Sequence, residues 1–481
     1  MLVLNGIEPK AVFSFFEELC AIPHGSGNTK ELSDWIADFA QRRGLWYCQD
    51  RANNVVVKKP ASPGYEAAEP VILQGHIDMV CEKTAACEKN MEKEGLDLVT
   101  IGDEVYAKGT TLGGDDGIAV AMILAVLDDD ELSHPPIEAV FTSDEEIGLL
   151  GAAALDTSIL AAKRLINIDS EDEGVFTVSC AGGARANCAI PVTRELFVGS
   201  PLRLRIEGLR GGHSGMEINK GRANAAKLLG RTLYMLQQRS SFRLCSVSGG
   251  MADNAIPVAA EATLVGDESA VRALAEEAQS LFRNEYLAAD PAICVFAEPC
   301  TPEFDPMSET STADIICFLN CAPNGVRAMS MEIDGLVQTS LNFGILSTED
   351  AAVKASFSVR SSVDSQKEML LDELRCLTNR LGGGMGVTGD YPGWAYLTES
   401  PLRDLMAGVF ERQYGYAPKI EAIHAGLECG LFAGKIPGLD CVSIGPDLEA
   451  VHTPAEKLHI ASTQRTWALL KETLQQMRPD V

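Results

Sequence analysis

The chain has 481 residues, 46% apolar and 22% charged, which is the balance of a soluble globular protein with room for more than one core. Forty lysines and arginines against 68 aspartates and glutamates leave a formal charge of −28, so a nucleic-acid backbone or an anionic membrane is repelled, and small solutes or cations remain as partners. The 14 cysteines are scattered without a Cys-x-x-Cys pair, which reads as reduced thiols in a cytoplasmic protein; no signal peptide and no bilayer-spanning run is recognisable.

From Lys10 to about Arg43, apolar residues recur at spacings of three and four (Val12, Phe15, Phe16, Leu19, then Leu32, Ile36, Phe39). The pattern predicts two helices broken around His24, which reads as a loop histidine. Asn53 to Lys59 and Val71 to Gln74 predict strands. The second delivers His76 and Asp78 at its carboxyl end. On extended backbone these two point the same way, so one can bind a metal while the other steadies it.

A charged, irregular insertion follows from Glu82 to Asp103. The glycine-rich run from Lys108 to Gly117 then leads into an apolar helix ending near Leu127. Glycines allow close backbone approach, and a helix amino end tolerates anionic groups, which suits Asp115 and Asp116. Ile137 to Thr142 predicts a strand ending in Asp144-Glu145-Glu146, and Arg164 to Ile168 another ending in Asp169. Strands that alternate with helices and end in an acid or a histidine predict an α/β fold, an open mixed sheet flanked by helices with a ligand crevice.

Near Cys180 the rhythm changes. Alternating strands (Leu202 to Ile206, Glu261 to Val265, Ala355 to Val359) and amphipathic helices (Gly221 to Gln238, Ser269 to Tyr286) predict a separate α+β unit. Beyond Tyr391 the first pattern resumes. The chain therefore divides as 1–184, 185–390 and 391–481, with the middle segment inserted into the first domain and no convincing internal repeat.

His76, Asp78, Asp115, Glu145, Glu146, Asp169 and His452 form a mixed histidine and carboxylate set suited to one or two divalent zinc-like ions. Asp115, on its glycine-rich turn, is the natural bridge between two ions. Glu145 and Glu146 face different ways on extended backbone, so one can ligate while the other takes a proton from water.

His76-Ile-Asp78, Gly114-Asp-Asp-Gly117, Glu145-Glu-Ile-Gly148, Asn167-Ile-Asp169 and His452-Thr-Pro resemble the site motifs of the co-catalytic zinc aminoacylase and carboxypeptidase superfamily. Gly211-Gly-His-Ser-Gly, Asn254-Ala-Ile-Pro and Ile423-His-Ala-Gly-Leu-Glu-Cys-Gly narrow the resemblance to the bacterial aminoacyl-histidine dipeptidases. It runs from about residue 20 to 460.

The resemblance implies two divalent ions, zinc first, with manganese or cobalt as substitutes. His76 and Asp169 would hold one, Glu146 and His452 the other, and Asp115 would bridge them. It also implies Glu145 as general base, Asp78 as the orienting partner of His76, and a cis peptide at Asp115-Asp116. The inserted domain would act as a lid and a homodimer surface, with His213 at the oxyanion and Asn254 and Arg360 at the carboxyl end of a dipeptide. His424 and Glu428 are further substrate-binding candidates. Asp116 departs from the asparagine common among relatives and adds charge beside the ions. His459 reads as structural and His134 as loop. The expected reaction is hydrolysis of unblocked dipeptides, Xaa-His among them. An N-acyl amino acid deacylase or exocarboxypeptidase on the same scaffold, and a non-catalytic metal-binding interaction protein, are the alternatives.

Overall fold

The computed structural model describes residues 3–479. The chain forms two compact units. One comprises the residues up to Ser179, Tyr396–Ala422 and the chain from Leu427 onward; the other comprises Cys180–Ala395 and Ile423–Gly426.

The first unit is built on an eight-stranded sheet ordered Trp46–Gln49, Val55–Lys59, Ile137–Thr142, Val71–His76, Arg164–Asn167, Asp440–Ser443, Val175–Cys180, Lys419–Ile423. Its four middle strands, from Ile137–Thr142 to Asp440–Ser443, run parallel, and antiparallel strands flank them. Val71–His76 and Ile137–Thr142 are buried at every position, as parallel strands covered on both faces must be. The chain passes from Val71–His76 to a neighbour on one side and then to a neighbour on the other. In open α/β sheets the carboxyl end of such a strand is where ligands bind.

The apolar helix Gly114–Asp128 is buried throughout from Ile118 to Leu127 and packs on Lys10–Cys20 and on the strand Val71–His76. Asp115 and Asp116 at its start have non-helical backbone angles, and the peptide between them is cis, as the resemblance implies. The helix can lie this close to the sheet because Gly75 has no side chain. A Cβ there would sit 2.7 Å from Asp116 Oδ2 and 2.9 Å from Ala119 Cβ. Part of the stretch read as irregular insertion is ordered: Leu98–Ile101 pairs with Glu104–Ala107 in a four-stranded sheet. That sheet also holds Leu448–Glu449 and Lys457–His459, so His452 sits in the loop of a hairpin anchored on both sides.

In the second unit the strand order is Cys294–Pro299, Ser200–Glu207, Ala260–Gly266, Arg243–Gly249, Val337–Thr348, Ala352–Ser361, Gly182–Pro191, Gly384–Tyr391, with Gly325–Met329 paired to Val337–Thr348. Strand burial alternates, the mark of a sheet covered on one face. Four helices supply that cover and share one apolar core with the strands. Three of them carry side-chain caps, from Asn224, Asp267 and Ser308, which satisfy amides that the first turn leaves open.

The unit repeats one plan. Ser200–Glu207, helix Ala225–Gln237, Arg243–Gly249, Ala260–Gly266, helix Glu268–Glu285 and Cys294–Pro299 form one half. Gly182–Pro191, helix Glu309–Cys321, Val337–Thr348, Ala352–Ser361, helix Asp364–Arg380 and Gly384–Tyr391 form the other. Corresponding strands pair antiparallel in the same order, and the halves meet edge to edge through Gly249 and Leu346. The first half is inserted between the first strand and first helix of the second. No repeat is legible in the sequence because what recurs is the pairing scheme, carried by different residues that share only alternation.

Candidate active site

The carboxyl ends of three adjacent strands, together with the helix start and the hairpin loop, bring His76, Asp78, Asp115, Glu145, Glu146, Asp169 and His452 into one cluster. The Asp115 carboxylate divides it. Oδ1 lies 3.1 Å from His76 Nε2, and Oδ2 lies 3.1 Å from His452 Nε2. On the first side Asp169 Oδ1 is 3.6 Å from His76 Nε2; on the second, Glu146 Oε1 is 2.9 Å from His452 Nε2. Three groups have donor atoms close enough to share an ion: Asp115, Glu146 and His452; His76, Asp116 and Asp169; and His76, Glu145 and Glu146.

Asp78 holds two pieces of this cluster together. Its backbone carbonyl lies 2.9 Å from His76 Nδ1, and its carboxylate accepts hydrogen bonds from the amides of Glu145 (2.9 Å) and Glu146 (3.3 Å) and from Ser26 Oγ (2.7 Å). One buried residue thus fixes the ring on one strand through its backbone carbonyl and the acidic turn after the next through its carboxylate. Glu456 performs the matching task for the loop of Asp115. Its carboxylate takes four backbone amides, from Leu112, Gly113, Gly114 and Asp115, at 2.7 to 3.3 Å, and joins that loop to the hairpin of His452. No sequence pattern singles out Glu456; its partners are more than three hundred residues away.

Charge accounts for the protonation of the cluster. Burial opposes a charge on His76, but hydrogen bonds to Asp115, Asp169 and Asp78 outweigh it and hold its pKa well above the ordinary value. Hydrogen bonds to Asp115 and Glu146 raise His452 to about 10. Burial and neighbouring carboxylates push Glu145 up to about 9 and Asp169 to about 6, and raise Asp116 as well. For Asp115 the two imidazoles outweigh burial, and its carboxyl lies below the usual range. Among the described residues none of these acids pairs with a lysine or arginine. A buried excess of carboxylate around two imidazoles, with raised affinity for protons, is a donor set that fits divalent cations.

Beneath the cluster Gln74 bridges three strands, bonding Thr142 Oγ1 (3.1 Å), Asn167 Nδ2 (2.7 Å) and Glu428 Oε2 (2.6 Å). Glu428 also accepts from Thr142 Oγ1 at 2.5 Å and is wholly buried, with its pKa pushed up to about 8 by that burial. Gln74 and Thr142 thus hold Glu428 through Oε2, while its Oε1 is buried without a hydrogen-bond partner.

The remaining substrate-binding candidates lie in the second unit. His424 belongs there because Ala181 N–H donates to the carbonyls of Ile423 and Ala425 and Ser340 Oγ bonds His424 Nε2 at 2.7 Å. A Cβ on Gly215 would lie 2.7 Å from His424 O, 3.1 Å from His213 Cε1 and 3.3 Å from Arg360 Nε, so only glycine lets these three converge. Arg360 Nε and His424 Nδ1 are buried without a hydrogen-bond partner. Burial and the charge of Arg360 lower the pKa of both histidines, His424 to about 3. The result is one cation beside two neutral imidazoles. The exposed Asn254 joins through its carbonyl, which accepts from Ser214 N–H at 2.8 Å. His24, His134 and His459 bond locally to Ile22 O, Pro135 O and Glu449.

Residues 72–476 match the peptidase family M20/M25/M40. The chain belongs to that family. It is a hydrolase, and its likeness to individual members spans its length. It is 36% identical to the cytosol non-specific dipeptidase of Escherichia coli K12, over 99% of each chain. The crystal structure of the aminoacylhistidine dipeptidase from Vibrio alginolyticus superposes with a TM-score of 0.94 at 36% identity, over 99% of this chain and 98% of the other. An aminopeptidase, PepT from Bacillus cereus, shares the fold at 15% identity and a TM-score of 0.56, over 98% of this chain and 99% of the other. No helix among the described residues is long and apolar enough to cross a membrane.

Proposed function

We propose that this member of the family hydrolyses the peptide bond of unblocked dipeptides, Xaa-His pairs among them. The observation that carries the reading is the Asp115 carboxylate, with one oxygen toward His76 and Asp169 and the other toward His452 and Glu146. The names of the Escherichia coli and Vibrio relatives favour dipeptides over acylated amino acids. His76 and Asp169 would hold one divalent ion and Glu146 and His452 the other, with Asp115 between them and zinc the first choice. Ions held there would polarise the scissile carbonyl and lower the pKa of water.

Glu145 takes the proton of the attacking water and returns it to the leaving amine. Asp78 keeps Glu145 in place through the Glu145 amide and fixes the His76 ring. The second unit acts as the lid, with His213 stabilising the oxyanion and Arg360 and Asn254 holding the substrate carboxylate. Arginine suits that end because its planar fork grips a carboxylate with two bonds. His424, within the field of Arg360, is a further substrate-binding candidate.

The test is a panel of free dipeptides, Xaa-His included, beside N-acylated amino acids, on metal-stripped protein restored with zinc, manganese or cobalt. Hydrolysis of the free set supports the reading, and hydrolysis of the acylated set alone would replace it with a deacylase. On the resemblance we also assign the protein to the cytoplasm and expect two copies to pair through the second unit. Light scattering checks the pairing, and a monomeric mass at full turnover would remove it.

A further inference from the structure

The insertion after Val80 is unused by the site described above, yet it is firmly placed. Thr84 N–H donates to Gly109 O, Thr111 N–H to Glu82 O and Leu96 N–H to Cys20 O, while Asn28 Nδ2 donates to Glu92 O at 3.1 Å. Between this wall and the turn Gly25–Asn28 lies a cavity of about 1270 Å³ in the first unit. Glu146 opens onto it, as does Ser26, which bonds Asp78. The cavity is therefore continuous with the cluster.

Its lining mixes lysines, glutamates and asparagines with a smaller set of apolar side chains. Met79, Val80, Met91 and Ile147 face it. Ile147 follows the two glutamates and is 55% exposed, a position where an isoleucine contributes nothing to the core. Two of the three lysines on the rim are committed: Lys83 Nζ donates to Lys89 O, and Lys89 Nζ bonds Gly95 O and Asp97. The one largely buried cation here, Lys89, is already paired, in contrast to Arg360 in the second unit with its unpartnered Nε. A dipeptide has two ends, and the end without the carboxylate is the one this cavity suits. Methionine side chains are unbranched and polarisable and adapt to differently shaped partners.

We propose that this cavity receives the side chain of the amino-terminal residue of the dipeptide, and that Met91 and Ile147 set the size and apolar character it accepts. The proposal rests on the dipeptidase reading. It is tested on the metal-replete full chain with Gly-His, Leu-His and Phe-His. In Met91→Trp and Ile147→Trp the ratio of kcat/KM for Leu-His over Gly-His falls by about tenfold, the scale of discrimination a hydrophobic pocket provides. In Met91→Ala the ratio of Phe-His over Leu-His rises. A wild-type chain inert toward all three removes the functional reading and the subsite with it. An active wild type whose ratios stay fixed in all variants, or whose variants lose all substrates in parallel, removes the subsite alone.

Discussion

The two groups of chemically active side chains are built in opposite ways. In the first unit a surplus of buried carboxylate surrounds two imidazoles, and each residue ends or follows a strand or lies in the first turn of one helix. In the second unit a single guanidinium sits between two neutral imidazoles, assembled from a loop, a strand interior and the four-residue strip Ile423–Gly426. The first group attracts cations and has its own supports in Asp78 and Glu456. The second has unpartnered donors and suits an anion. The two groups are thus opposite in charge, a surplus of carboxylate in one and a lone guanidinium in the other.

The sharpest way to separate the groups is Glu145→Ala. Turnover is expected to fall about a hundred- to ten-thousandfold, the usual contribution of general-base catalysis, while metal content measured by elemental analysis stays near wild type. Equal loss of metal would make Glu145 a ligand instead. Arg360→Ala strikes the other group. KM for dipeptides should rise about tenfold or more, as expected when a charged partner is lost, with a smaller change in kcat; Arg360→Lys should recover part of it, but without the bidentate fork. A drop in kcat alone would move Arg360 away from substrate binding.

A pH series on the metal-stripped protein tests the surplus of carboxylate. Folded Asp169, Glu428 and Glu145 keep protons to about pH 6, 8 and 9, whereas an unfolded chain releases them near pH 4. His452 keeps its proton to about pH 10, above the unfolded value. The folded chain binds more protons across this range, so stability falls as pH rises. Asp78 and Asp115, with lowered values, act only in acid, where their contribution is lost as pH falls. The thermal midpoint should decline from pH 6 to pH 9 and level out when saturating zinc replaces the protons. A flat profile without metal would contradict the charge surplus. The smallest expected effect is Glu456→Gln, which removes the charge but keeps an acceptor for some of the four amides. A loss of about 1 to 3 kcal/mol in denaturant unfolding is expected, with weaker metal retention and no change in substrate preference.

The sequence made the first group readable because strand ends recur with a fixed rhythm. His76, Glu145, Glu146 and Asp169 each follow an apolar run, and Asp115 opens a helix after glycines. What stayed hidden depended on distant pairing. Glu456 is one acid among 68 acidic residues until four amides from the Asp115 loop are seen to converge on it. Glu428 lies in a recognisable motif, but its bonds to Gln74 and Thr142 join it to strands far back in the chain and no local pattern announces them. His424 follows a strand of the first unit but is bonded into the second through Ala181 and Ser340, a choice made by tertiary contacts.

The nested order of the chain has a consequence for its synthesis. The half that spans Ser200 to Pro299 is complete within one continuous stretch, so it can fold first as the chain emerges. The strand Gly182–Pro191 waits for Ala352–Ser361 and Gly384–Tyr391, and the outermost sheet waits longer still for Asp440–Ser443. Segments whose partners lie far along the chain order late. His452 and Glu456 come later again, so the cluster is among the last parts of the unit to be completed.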